Sequence, residues 1–167
     1  MEETIWDVSA VKDWLIEYRE KERDIDNQIE RLERFIIKMT SVGAQVISGM
    51  PQAPGTAEDR IGGLVARKEE LEGTIRSDVR KQSEKRKAVE GVLAQLKRSD
   101  ERAVIRMRYI DRESWNTVAE LMFGSRDDYE GKEDTYLRRV HKVHGAALQN
   151  MARIMSEDPN MPAPEAQ

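Results

Sequence analysis

Cysteine is absent from this chain, which removes disulfides and thiol chemistry from consideration. Aromatic residues make up only 5%, too few for the usual core of a sheet protein. The five prolines fall in two places, residues 51–54 and 159–164, so long stretches run without a helix breaker. No apolar run approaches the length needed to cross a bilayer, and no charged-then-apolar leader opens the sequence. A cytoplasmic protein with no membrane segment is therefore expected. What the chain has instead is charge: 36% charged residues against 38% apolar, over 167 residues. That balance leaves little for a thick core and favours long helices, so the expected fold is all-α.

The net charge of −4 is unevenly spread. Residues 1–40 carry seven basic and eleven acidic side chains, whereas residues 134–155 carry four basic and one acidic. Positive charge is concentrated near the C-terminal end.

Between Val8 and Met39, apolar residues recur at alternating spacings of three and four: Val8, Val11, Leu15, Tyr18, Ile25, Ile29, Leu32, Ile36 and Met39, with Glu22 as the one charged member. This is a heptad seam on a helix of about 32 residues, roughly 48 Å long. A second seam passes through Ile61, Leu64, Lys68, Leu71 and Ile75, weakens at Asp78, Gln82 and Lys85, and returns at Val89, Val92 and Leu96. The joiner Ser41–Ala57 has three glycines, two prolines and no charge, and is expected to continue neither helix. Residues 1–97 thus read as an antiparallel coiled-coil hairpin with a loop at 41–59. Glu22 would face Lys85 or Gln82 and so set the register. So thin a seam points to completion by a second chain or another partner.

From Ser99 the texture changes. Ser99 or Asp100 would cap a helix with Val104, Ile105, Met107, Tyr109 and Ile110 on its apolar face. Ser114 would cap a short second helix that ends near Gly124. Asp134 or Thr135 would cap a third that runs to about Ile154. Residues 98–155 therefore read as a three-helix helix-turn-helix unit, and the tail 156–167 has the composition of a disordered end.

A helical projection of the third helix sets Leu137, Val140, Val143, Ala147, Leu148 and Met151 on one side. The opposite side holds Thr135, Arg138, Arg139, Lys142, Ala146 and Gln149 and contains no acid. Such a face offers donors for phosphates or guanine edges, with a small residue that permits close approach to a groove floor. His144 falls among the apolar residues and His141 at their border. A His144 that faces the core is expected to be satisfied by a backbone carbonyl. With two histidines in the chain and no third ligand converging on them, no metal site is expected.

These residues carry a resemblance. "IRMRYIDRESWNTVAELM" followed by "VHKVHGAAL" is similar to the C-terminal part of phage and prophage proteins of Gram-positive bacteria that resemble sigma factor region 4, including ArpU- and RinA-type regulators of late phage genes. The matching positions are Arg108 and Tyr109, Ser114 and Trp115, and His144, Gly145, Ala147 and Leu148. The resemblance implies a DNA-binding transcription regulator with a sigma region 4-like helix-turn-helix, in contact with RNA polymerase. The chain departs from that pattern in the turn: Phe123 stands where a glycine is expected, and about ten residues are inserted before Val140. Either the loop bulges or the third helix begins early.

The function expected is sequence-specific binding of duplex DNA by a homo-oligomer assembled through the hairpin. Thr135, Arg138, Arg139 and Lys142 are the expected base or phosphate contacts, with Ser114, Arg112, Arg126 and Lys132 as weaker backbone contacts. Two other readings stand beside it: a small terminase subunit for DNA packaging, and a coiled-coil adaptor that binds only protein. No nucleophile-and-base pair or phosphate loop stands out, so neither an enzyme nor a cofactor is expected.

Overall fold

The computed structural model describes residues 5–47 and 56–164. All regular structure among them is helical. Helix α1 spans Val8–Ile47, α2 Thr56–Gln95, α3 Ser99–Ile105, α4 Trp115–Phe123 and α5 Glu133–Glu157. Helix α3 continues into a π-helical turn, Arg106–Ile110, whose wider hydrogen bond runs from the Asp111 amide to the Arg106 carbonyl at 2.9 Å.

The two long helices extend further into the joiner than expected. Ser41–Ile47 and Thr56–Asp59 are helical where a loop over 41–59 is expected, and its remaining positions, 48–55, lie outside the described residues. A lone glycine such as Gly43 costs a helix only about 1 kcal/mol, and both prolines of the joiner lie outside the described residues.

The chain divides into two compact units along lines different from residue 97: one comprises residues 1–20 and 85–167, the other residues 21–84. In the first, Val11, Leu15 and Tyr18 of α1 and Val89, Val92, Leu93 and Leu96 of α2 are buried together with Tyr109 and the α5 residues Ala147, Leu148, Met151 and Met155. The heptad pattern continues unbroken through Glu22 and carries no mark of this division. Fully burying a Leu, Val or Met here contributes about 1.5–3 kcal/mol each. Asp7 starts α1 by accepting the Ala10 amide at 2.7 Å. Lys85, expected opposite Glu22, donates instead to Glu17 Oε1 at 2.6 Å.

The tail is ordered as far as it is described, contrary to the disorder its composition suggests. Ser156 and Glu157 complete α5, and Met161 packs on the core. The Trp6 indole donates to the Pro162 carbonyl at 3.1 Å, and the Ser156 hydroxyl to the Trp6 carbonyl at 3.1 Å. An apolar methionine and a carbonyl that meets an indole N–H are enough to fasten a segment whose overall composition is polar.

The second unit has a sparse interior. Among its described residues Ile25 and Gln82 are buried, whereas the seam residues Ile29 and Ile36 are each 38% exposed and Ile61 39%. Its clearest polar clasp is Asp78, whose carboxylate accepts from Gln28 Nε2 and Lys21 Nζ, both at 3.1 Å. Those bonds, Gln28 first, hold Asp78 below the usual carboxylate range. Asp78 breaks the apolar seam in sequence, and in the structure it supplies a specific cross-helix contact.

Candidate nucleic-acid interface

Helices α3, α4 and α5 pack around a second small core of Val104, Val118, Ala119 and Val140, flanked by Trp115, Leu137 and Val143. Ser114 caps α4 as its sequence position predicts: its backbone is extended and its Oγ accepts the Thr117 amide at 3.1 Å. The other two expected caps differ. Helix α3 is preceded by Arg98 and α5 by Lys132, neither with a side-chain cap, so Ser99, Asp100, Asp134 and Thr135 fall inside the first turns. Gly124 follows α4 where any Cβ would stand 2.5 Å from the Glu120 carbonyl oxygen, which explains a glycine at this helix end.

Helix α5 begins two turns before Val140, the early start that the inserted residues allowed. The rest of the insertion folds as successive tight turns, with Arg126, Tyr129 and Lys132 amides donating to the Phe123, Arg126 and Tyr129 carbonyls, each at 3.0 Å. Gly131 supplies a left-handed residue, φ +85°. Aromatic rings seat these turns on α5: Phe123 and Tyr129 lie 5.1 and 5.5 Å from buried Tyr136. Phe123 marks a departure from the expected glycine in the sequence, but the contact of the three rings is not legible there, because they come from different segments.

All eight residues expected to contact DNA are exposed: Thr135, Arg138, Arg139, Lys142, Ser114, Arg112, Arg126 and Lys132. The structure gathers five of them. Thr135, Arg138, Arg139, Lys142 and Lys132 line a shallow groove of about 470 Å³, closed at one side by Asp128 and Tyr136. Arg126 and Arg139 share the Phe123 ring, their guanidinium carbons 5.8 and 5.5 Å from its centre. Arg112 and Ser114 do not line this groove. The Ser114 hydroxyl is engaged with Thr117, and Arg112 sits in the turn before α4 at φ 63°, a left-handed conformation costly for any residue that carries a Cβ.

The other face of α5 is packed. Val140, Ala147, Leu148 and Met151 are buried, and His144 with them at 8% exposure. The His144 Nε2 meets the Tyr109 hydroxyl at 2.9 Å, so its partner is a phenol and not the backbone carbonyl expected. Trp115 lies 4.8 Å from His144 and 4.6 Å from the exposed His141, with the Arg108 guanidinium 4.7 Å from its ring centre. Burial, together with the nearby positive charges of Lys12, His141 and Arg108, pushes His144 down to about 4, so it is neutral at pH 7. Among the described residues no three His, Cys, Asp or Glu side chains converge as metal ligands would, and no helix is long and apolar enough to cross a membrane.

A buried acid escaped the sequence reading. Glu101 of α3 is 2% exposed, and both its carboxylate oxygens accept from Asn150 Nδ2 of α5, at 3.2 and 3.0 Å. The pair ties α3 to α5 from positions 49 residues apart, and nothing local in the sequence signals it.

Residues 55–140 match a family described as a protein of unknown function, DUF1492, over just more than half the chain. The chain belongs to the DUF1492 family. Its match takes in α4, the inserted turns, Lys132, Thr135, Arg138 and Arg139, and stops short of Lys142 and His144. The DUF1492 chain has no match among curated proteins and none among solved structures.

Proposed function

We propose that this protein is a sequence-specific, duplex-DNA-binding transcription regulator of phage or prophage type, acting in the bacterial cytoplasm. In this reading α3, α4 and α5 are a sigma region 4-like helix-turn-helix, and α5 enters the major groove. Thr135, Arg138, Arg139 and Lys142 meet bases and phosphates, while Lys132 and Arg126 approach the backbone. The observation that carries the reading is the exposed α5 face. Three cations and a hydroxyl of α5 line one groove there, and no acid of that helix lines it with them, in a chain whose net charge is −4.

The two long helices are read as an antiparallel coiled-coil hairpin that assembles copies of the chain and offers a surface to RNA polymerase. Support comes from the half-exposed seam isoleucines Ile29, Ile36 and Ile61, an apolar edge that a two-helix pair cannot cover by itself.

A mobility-shift titration against random-sequence duplex DNA at several salt concentrations tests the reading. Replacing Arg138 and Lys142 with Ala should weaken binding by roughly 10- to 100-fold and reduce the salt slope by about two. Binding unchanged by the double substitution would remove α5 as the contact face. No salt-sensitive binding by the unaltered protein would favour the protein-only adaptor.

A further inference from the structure

The inserted turn carries an anion of its own at the rim of the basic groove. Asp128 gives one carboxylate oxygen to each of two donors: Oδ1 accepts from the Tyr136 hydroxyl at 2.5 Å, and Oδ2 from Lys132 Nζ at 3.1 Å. All three residues line the groove together with Arg138, Arg139 and Lys142. The phenol first, then the ammonium, hold the Asp128 carboxyl below the usual carboxylate range, so at neutral pH it bears a full charge. Of the groove's four cations, one is thus occupied internally. The Asp128–Lys132 pair is also open to water, its side chains 51% and 59% exposed, and so exposed a pair is weakly held and screened by salt.

A carboxylate and a phosphodiester each present two anionic oxygens from a single atom, and both are bound by charge-assisted hydrogen bonds. We propose that Asp128 is an internal competitor for nucleic-acid phosphate: its carboxylate holds the seat between Lys132 and Tyr136 that a backbone phosphate takes when the strand docks. The proposal rests on the reading of α5 as a DNA-binding face and adds to it a specific phosphate seat and a gate on that seat. Tyr136 suits the role because its ring is buried against Phe123 and Tyr129, so its hydroxyl is already fixed toward the groove. Lys132 suits it because its long, exposed side chain can exchange one anion for another with little rearrangement. The consequence is selectivity. A polyanion that touches the groove loosely must compete with Asp128, whereas a duplex held in register by Arg138, Arg139 and Lys142 delivers a phosphate at high local concentration and displaces it.

The test is the variant Asp128→Asn, which keeps the size of the side chain and removes its charge. It should bind random-sequence duplex about 3- to 10-fold more tightly at roughly 100 mM salt, with a salt slope steeper by about one. Lys132→Ala should weaken binding in the unaltered protein and weaken it several-fold more in the Asp128→Asn background, a coupling that a merely structural Asp128 would not produce. Equal or weaker DNA binding by Asp128→Asn, or a Lys132→Ala effect identical in both backgrounds, would overturn the proposal. Where neither protein shows salt-sensitive duplex binding, the DNA reading fails by itself. Inorganic phosphate followed by amide shifts of residues 132–142 then decides: tighter binding by Asp128→Asn keeps the seat, and equal binding removes it.

Discussion

His144 makes the stability of the first unit depend on pH in a window where few other groups are so deeply placed. The side chain is 8% exposed, bonded to Tyr109 and enclosed by Trp115, and it stays neutral down to about pH 4. In the unfolded chain a histidine takes up its proton near pH 6.5. Between these values the unfolded state binds more protons, so stability rises with pH there and falls as the solution is acidified. The contribution is complete above about pH 6.5, declines by up to about 1.4 kcal/mol per pH unit below it, and stops changing once His144 itself protonates near pH 4. From pH 7.5 to pH 5 the loss is about 2 kcal/mol. For a chain of this size that is a fall in Tm of about 4–8 °C. The comparison protein is His144→Gln, which can still bond Tyr109 and does not titrate. Urea unfolding at a series of pH values should give a stability difference between the two proteins that narrows by about 2 kcal/mol from pH 7.5 to pH 5, because carboxylates common to both cancel. Parallel pH profiles would refute the reasoning: they would mean that His144 is solvated or already protonated in the folded protein.

Two further outcomes follow from the backbone and the tail. Arg112 holds φ 63° in the turn before α4, so Arg112→Gly should stabilise the protein by about 0.5–1 kcal/mol in the same urea assay, the relief of local strain exceeding the cost of glycine's larger unfolded-state entropy; a decrease would show that the Arg112 side chain contributes more than its backbone costs. Ending the chain after Asp158 removes the acceptor of the Trp6 indole and the packed Met161, and should cost about 1–3 kcal/mol with a red-shifted tryptophan emission; an unchanged melt would mean the tail contact is not made in solution.

The parts of this molecule that the sequence announces are those governed by local periodicity. The two faces of α5 repeat every 3.6 residues, so the inward position of His144 and the outward positions of Arg138, Arg139 and Lys142 follow from spacing alone. The Ser114 cap is equally local, a hydroxyl three residues before the amide it accepts. What escapes is set by contacts between distant residues. Trp6 and Pro162 are 156 positions apart, Glu101 and Asn150 are 49, and no window of a helical pattern spans either pair. The start of α5 differs by a few residues: Asp134 or Thr135 reads as its cap, whereas the helix begins at Glu133 after Lys132, next to the turn whose Tyr129 packs on Tyr136. Asp128 looked like one of several acids in a polar loop, and its role depends on which donors the fold brings to it.

The fastening of Trp6 to Pro162 bears on how the protein is made. Trp6, Val11, Leu15 and Tyr18 leave the ribosome well before the residues from Ala147 through Met161 that complete the core around them. At about 5–20 residues per second, roughly 7–30 s separate the two. Through that interval Trp6, Val11, Leu15 and Tyr18 have only Val89, Val92, Leu93 and Leu96 of α2, with Ile105 and Tyr109, to complete part of their core. The first unit can therefore close fully only once α5 and the segment after it have left the ribosome, and a message cut short before α5 would release a chain whose Trp6-to-Tyr18 side chains lack that cover.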